Sequence, residues 1–283
     1  MHEAFNELRP RMMSVAYRML GSVADAEDVV QDAFLRLQIA DEVTSPEGFL
    51  VRTTTRRCID HLRADRRRKA EYIGPWVPEP VDTKTGLENS TLAESLSQAF
   101  LLILERLTPN ERAAFLLRTV FDYEFSEIAD VLGKSEVHVR QIVSRAKAHL
   151  TQAVPRFRPD PHQAEGLAQR FISACRTGDV KLVEQLLTEE AEVHSDGGGK
   201  VSAARVVVRG RNRAARFLAG VFCKYRRDCE MHSATVNGEP GVVFSFEGRV
   251  VQVVSLHIEE RVNAIYMTLN PDKLCRWSVA EIE

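Results

Sequence analysis

Proline divides this chain before any other pattern can be read. Pro75, Pro78 and Pro80, with Gly86 behind them, interrupt every period between residues 71 and 91, and Pro155, Pro159 and Pro161 do so again. Proline fixes its own φ, lacks an N–H and pushes the preceding residue towards extended backbone, so no regular element runs through either cluster. Three blocks remain, 1–70, 92–153 and 160–283. The first two carry helical periodicity and the third adds strand alternation. The expected fold is therefore multidomain: two all-α domains, then an α+β domain.

In the first block Phe5, Leu8, Met12, Val15, Ala16 and Met19 recur at three and four residues up to Gly21, the spacing of one buried helical face. Ser22, with Asp25 three positions on, opens a second helix with an apolar stripe of Val29, Val30, Ala33, Phe34 and Leu37. Asp25, Glu27, Asp28 and Asp32 crowd its first half; they suit the helix dipole and also make an acidic face. Ser45-Pro46 starts a third helix, on which Arg52, Arg56, Arg63 and Arg67 form one stripe.

In the second block Leu92, Leu96, Phe100, Ile103 and Leu107 trace one helix, and Thr108-Pro109-Asn110-Glu111 is a capping box opening the next. Residues Phe125–Leu132, closed by Gly133 and followed from Ser135 by a longer helix to Leu150, have helix-turn-helix grammar. The outward face of that longer helix offers His138, Arg140, Gln141, Ser144, Arg145 and Lys147. Arg and Gln read base edges with two bonds at once, and Lys suits phosphate. An ordinary helical hairpin with a basic surface has the same spacing, so the pattern needs its context.

Charge supplies part of that context. The formal net charge of −2 would argue against a polyanion partner. By segment it is −5 over 1–47, +6 over 48–69, −7 over 70–133, +5 over 134–158 and −1 beyond. Screening acts over about 8–10 Å, so a partner meets the blocks and not the total. The two basic blocks coincide with the arginine stripe and the helix-turn-helix.

The third block predicts helices over 163–177, 179–187 and 211–227. It also predicts strands at Ala191–Ser195, Val201–Val208, Cys229–Val236, Val242–Glu247, Val250–Glu259 and Val262–Leu269, forming a curved antiparallel sheet. The acidic start of the chain is unlike a signal peptide, and no apolar run reaches the ~18 residues of a membrane span. Five scattered cysteines without a CxxC suit reduced thiols, so the expected location is cytoplasmic.

The run Ala24-Asp25-Ala26-Glu27-Asp28-Val29-Val30-Gln31-Asp32-Ala33-Phe34-Leu35-Arg36-Leu37 resembles the polymerase-core-binding helix of bacterial sigma factors. Leu107-Thr108-Pro109-Asn110-Glu111-Arg112 and the helix-turn-helix resemble their promoter −35 reader. Two helical domains with a short linker and no domain between them are similar to the extracytoplasmic-function (ECF) group, over about residues 4–152. The resemblance implies sigma region 2 at 1–70, a linker at 71–91 and region 4 at 92–153, with core RNA polymerase and promoter DNA as partners. It places Asp25, Glu27, Asp28, Gln31 and Asp32 on the polymerase clamp helices. Phe49, Arg52, Arg56, Arg63 and Arg67 fall at the −10 element, and Ser135, His138, Arg140, Gln141, Ser144, Arg145 and Lys147 at the −35 element. Phe49 is the only aromatic between Gln38 and His61, which implies limited melting power and strict promoter choice.

Helix and strand order over about 160–275 resembles SnoaL-like polyketide cyclases, a cone-shaped fold, which places such a domain at 160–283. Three short segments are similar to those of sigma factors with a fused SnoaL-like extension: Trp76-Val77-Pro78-Glu79-Pro80, Asp196-Gly197-Gly198-Gly199-Lys200 and Asn270-Pro271-Asp272-Lys273-Leu274. Val77 stands where that subgroup typically has Leu. The resemblance implies regulation in cis, with Trp76–Pro80 meeting the other two loops while the extension packs on the sigma domains. It implies no enzyme activity, cofactor or metal. Gly199-Lys200 is no phosphate loop, because Val201 replaces the required Ser or Thr. The alternative is a helix-turn-helix regulator whose last domain senses a small ligand or acts as a hydrolase or isomerase through Asp196 with His194 or His257. A metal cluster of Cys223, Cys229 and His232 fits no standard spacing.

Overall fold

The computed structural model describes residues 2–83, 93–150 and 160–281, with side chains undescribed at 2–4, 66–70, 93, 94, 161 and 281. The Arg67 side chain, the breaks at Gly86, Pro155 and Pro159, and the expected helix start at Leu92 therefore lie outside the described residues. The chain forms two compact units, one of residues 1–70, 87–96 and 100–154, the other of 71–86, 97–99 and 155–283.

In the first unit α1 spans His2–Leu20, α2 Val23–Gln38 and α3 Pro46–Ala70. Gly21 ends α1 at φ 70°, and Ser22 caps α2 by accepting from the Asp25 N–H. Met12, Met19, Leu37 and Leu50 are fully buried among the three helices. The continuous helix expected over 92–107 is instead a 3-10 turn at Ala93–Leu96 and a short α4, Gln98–Leu104. Gln98 is buried and donates to the Pro78 carbonyl at 2.8 Å, which draws Ser97–Ala99 into the second unit and breaks the period there.

Helix α5 (Pro109–Thr119) has both halves of its capping box, Thr108 with Glu111. Helix α6 (Phe125–Leu132) ends on Gly133 at φ 62°, and α7 runs from Glu136 to Leu150. Val139, Ile142, Val143, Ala146 and Leu150 bury one face of α7. The helices of the first block pack on those of the second within this unit, through α1 with α5 and α3 with α5 and α6.

The second unit begins with α8 (Pro161–Thr177) and α9 (Val180–Leu186). Strands β1 (Leu187–Asp196) and β2 (Val208–Arg209) precede α10 (Arg211–Tyr225). Then come β3 (Glu230–Val236), β4 (Glu239–Phe246), β5 (Arg249–Ile258) and β6 (Val262–Thr268). The six-stranded sheet has the order β2-β1-β6-β5-β4-β3.

Two expectations are corrected here. The sheet is mixed, because β1 pairs with β6 in parallel. Alternation reveals which face a strand buries, not the direction of its partner. The strand expected over 201–208 shrinks to Val208–Arg209; Val208 packs against the core, whereas Val201 and Val206 are exposed.

Helices α8, α9 and α10 cover one sheet face, with Phe171, Leu218, Phe222, Phe244, Val254 and Met267 in the core between. Neighbouring residues point to the other face, where Val243 and Val253 pack with Leu274 and Trp277.

Candidate functional site

The acidic helix α2 is only partly free for a partner. Asp32 is paired with Arg57 at 2.7 Å and Arg36 at 2.9 Å, Glu27 approaches Arg9 at 4.0 Å, and Asp25 faces His61 at 3.7 Å. Asp28 and Gln31 are exposed, and Leu35 and Ile39 extend the same face at 52% and 81% exposure. The two apolar residues give an acidic surface something to bury. Sequence reading did not single them out, because a helical period identifies the buried face and not which apolar residues stay exposed.

On α3, Arg52 and Arg63 are exposed, and the Arg52 guanidinium lies 5.9 Å from the half-buried Phe49 ring. Arg56 is used differently. Its Nε donates to the Val131 carbonyl at 2.7 Å and its Nη2 to the Asp130 carbonyl at 3.1 Å. Both carbonyls belong to the last turn of α6, where no intrahelical N–H satisfies them and a cation suits the dipole. Two arginines reinforce the packing of regions 2 and 4. Buried Arg112 donates to the Met19 and Leu104 carbonyls, and buried Arg18 to Ser95 Oγ.

Ser135, His138, Arg140, Gln141, Ser144, Arg145 and Lys147 are all exposed on or just before α7. Five of them, from His138 to Arg145, border one open depression. Ser135 Oγ accepts from the His138 N–H, so Ser135 acts as an N-cap as well as an exposed hydroxyl.

The structure brings together the linker and the two loop segments, all within the second unit. Asp196 is fully buried at the end of β1. Its Oδ1 accepts from Tyr72 Oη at 2.6 Å and the Gly198 N–H at 3.0 Å; its Oδ2 accepts from Lys273 Nζ at 2.7 Å and the Val77 N–H at 2.9 Å. These four donors fill the four lone-pair sites of a carboxylate. Lys273 also donates to the Val77 carbonyl and lies 4.5 Å from the Trp76 ring. Burial, then the bond to Asp196, pushes the Tyr72 phenol well above its usual range.

Asn270 bridges Tyr72 Oη and the Asp272 N–H, Asp272 pairs with Lys200, and Trp277 donates to the Pro80 carbonyl at 3.0 Å. Buried Glu79 faces Arg276 at 3.7 Å. Further along, Val81 and Asn237 exchange hydrogen bonds and Asp82 bridges to Val236 on the edge of β3. The glycines admit this approach: a Cβ on Gly198, which sits at φ +60°, would come within 2.4 Å of the Asn270 side chain. Tyr72, Trp277 and Asn237 were not singled out by sequence, since each lies outside its short motif and gains its role from a partner more than 120 residues away.

A saturated Asp196 has no lone pair left for proton abstraction, and His194 and His257 bond instead to Glu192 and Glu239. Cys223, Cys229 and His232 have separate partners, the Arg176 carbonyl, the Tyr225 carbonyl and Ser245. Among the described residues no helix is long and apolar enough to cross a membrane.

Residues 4–68 match the family model of Sigma-70 region 2, residues 97–150 that of Sigma-70, region 4, and residues 168–264 that of the SnoaL-like domain. The chain is 35% identical to the ECF RNA polymerase sigma factor SigJ of Mycobacterium tuberculosis, over 95% of this chain and 91% of that one. It is 28% identical to the probable ECF RNA polymerase sigma factor SigI of the same species, over 96% and 93%. The crystal structure of Mycobacterium tuberculosis SigJ superposes with a TM-score of 0.78 at 33% identity, covering 97% of this chain and 98% of that one. The chain therefore belongs to the ECF RNA polymerase sigma factors, which direct RNA polymerase to promoters, and it carries a SnoaL-like domain behind its two sigma regions.

Proposed function

We propose that this sigma factor is regulated in cis by capture of its own interdomain linker on the SnoaL-like domain. The carrying observation is the Asp196 carboxylate, which binds Tyr72, Val77 and Lys273 together. Promoter −10 and −35 elements lie more than one duplex turn apart, over ~34 Å. A free 71–91 segment reaches that easily, at up to roughly 70 Å when extended. A segment held from Tyr72 to Thr83 along the SnoaL-like domain cannot be paid out.

The α2 face of Asp25, Glu27, Asp28, Gln31 and Asp32, extended by Leu35 and Ile39, docks on core polymerase in the cytoplasm. Phe49, Arg52, Arg56, Arg63 and Arg67 serve the −10 element, and the exposed face of α7 with Ser135 serves the −35 element. Arg56 must leave the α6 carbonyls to reach a phosphate, so opening regions 2 and 4 is part of engagement. The SnoaL-like domain works as a docking body and not as a catalyst, a reading supported by the saturation of its buried Asp196.

Run-off transcription with purified core polymerase tests both levels. The full chain should yield a promoter-specific transcript, and Asp196→Ala, which unfastens the linker, should change its amount severalfold. The absence of any specific transcript from full chain and variant alike sinks the promoter assignment. An unchanged transcript together with unchanged polymerase affinity in the variant sinks the regulation.

A further inference from the structure

Phe125 is the first residue of α6, the first helix of the helix-turn-helix. Two guanidinium groups use its ring. Arg140, from the second turn of α7, lies 4.1 Å from the centroid, and Arg118, from the last turn of α5, lies 5.0 Å from it. Cations are attracted to the negative face of an aromatic ring, and arginine stacks on it while keeping its N–H edge available. Arg118 is fixed independently, by a 2.9 Å bond to the Tyr123 carbonyl and by Asp122 and Glu124 at 3.4 Å. The only other described partner of Arg140 is Glu136 at 3.5 Å, one helical turn back, and its side chain is 58% exposed.

We infer that Phe125 is a positioning residue for −35 recognition, holding Arg140 in a set direction before DNA arrives. The inference rests on the assignment of α7 to the −35 element. A free arginine side chain samples many rotamers and loses that freedom on binding. A guanidinium held between a ring and a carboxylate loses less. The stacked group still presents its N–H edge, and two parallel N–H donors are what a guanine edge accepts. Phe125 thereby affects discrimination among base pairs, whereas a purely structural residue would affect folding alone. The same contact ties the first helix of the motif to the second, so the direction of Arg140 is set relative to the helix pair and not only to α7.

The test uses the full chain with core polymerase and run-off templates in which each −35 base pair is varied in turn. Phe125→Leu keeps an apolar side chain and should lower transcription from the preferred template roughly twofold to fivefold, the worth of an exposed cation–π contact. It should also flatten the preference at one or two adjacent base pairs, and Phe125→Trp should restore that preference. Arg140→Ala should give the same loss, and the double variant no more than either single. Far-ultraviolet circular dichroism and thermal melting control for folding. Additive losses in the double variant overturn the proposal, as does full discrimination in a folded Phe125→Leu. If Arg140→Ala retains full discrimination while Arg145→Ala loses it, the proposal fails and the assignment of α7 to the −35 element stands. If neither arginine variant alters the preference, that assignment fails with it.

Discussion

The two compact units each hold distant segments together through cations, but they give those cations different acceptors. In the sigma unit Arg18, Arg56 and Arg112 donate mainly to backbone carbonyls and a serine hydroxyl. In the SnoaL-like unit Lys273 meets the carboxylate of fully buried Asp196. A carbonyl is neutral, and the one carboxylate among these acceptors, Glu105 beside Arg112, is partly exposed to water, so losing one guanidinium leaves acceptors unsatisfied but strands no fully buried charge. A buried ion pair fails more severely, because removing one partner leaves the other ionised in low dielectric. The sigma joint therefore spreads over several modest bonds. The linker lock is concentrated in one residue.

The largest expected effect strikes that residue. Asp196→Ala should destabilise the SnoaL-like unit by about 3–5 kcal/mol, read by urea unfolding, because Lys273 keeps its charge. Adding Lys273→Met should recover part of the loss. A cost below about 1 kcal/mol, or no recovery, would erase the contrast with the sigma unit.

Next comes Arg112→Met, which leaves the Leu104 and Met19 carbonyls without their donors. The expected cost is about 1–3 kcal/mol. Native-state hydrogen exchange should then quicken in α1 and α5 while the amides of β5 and β6 keep their protection. Equal quickening in both units would show that they do not hold themselves independently.

The smallest effect is a pH dependence of the SnoaL-like unit. Burial holds His194 below its ordinary value of 6.5, with Glu192 opposing the shift. Its folded pKa thus lies under the unfolded one, so the unfolded chain binds more protons on acidification. The His194 contribution is complete above pH 6.5 and is lost as pH falls through that value towards the folded pKa. Urea midpoints on either side of pH 6.5 should diverge in the wild type and converge in His194→Gln. A wild type with no such divergence contradicts the sign.

Much of the sigma unit was legible because its signals are short. Ser22, Thr108 with Glu111, Gly133 and Ser135 act on backbone three or four residues away, and α2, α5, α6 and α7 start and stop where those residues say. The broken helix at Ser97 was not legible, since the period of Leu92, Leu96 and Phe100 is unbroken and the disruption comes from Gln98 reaching Pro78. In the second unit the strands with two packed neighbours, β4, β5 and β6, followed their alternation. The stretch 201–208 is rich in valine, yet all but its last residue lacks a strand partner.

The linker motif was recognisable as a motif, and its partners Asp196 and Lys273 stood in the two loops expected to meet it. Sequence alone determined the blocks between prolines, the capped helices, the helix-turn-helix and the segregation of charge, all of which depend on neighbours within a turn or on composition. Tertiary structure decided that β1 runs parallel to β6, that Arg56 rests on the end of α6, and that Tyr72 and Trp277 complete the linker lock. Those outcomes depend on residues 72 to 197 positions apart meeting in space. Only the packed core can fix such meetings, because local propensity carries no term for a partner so distant in the chain.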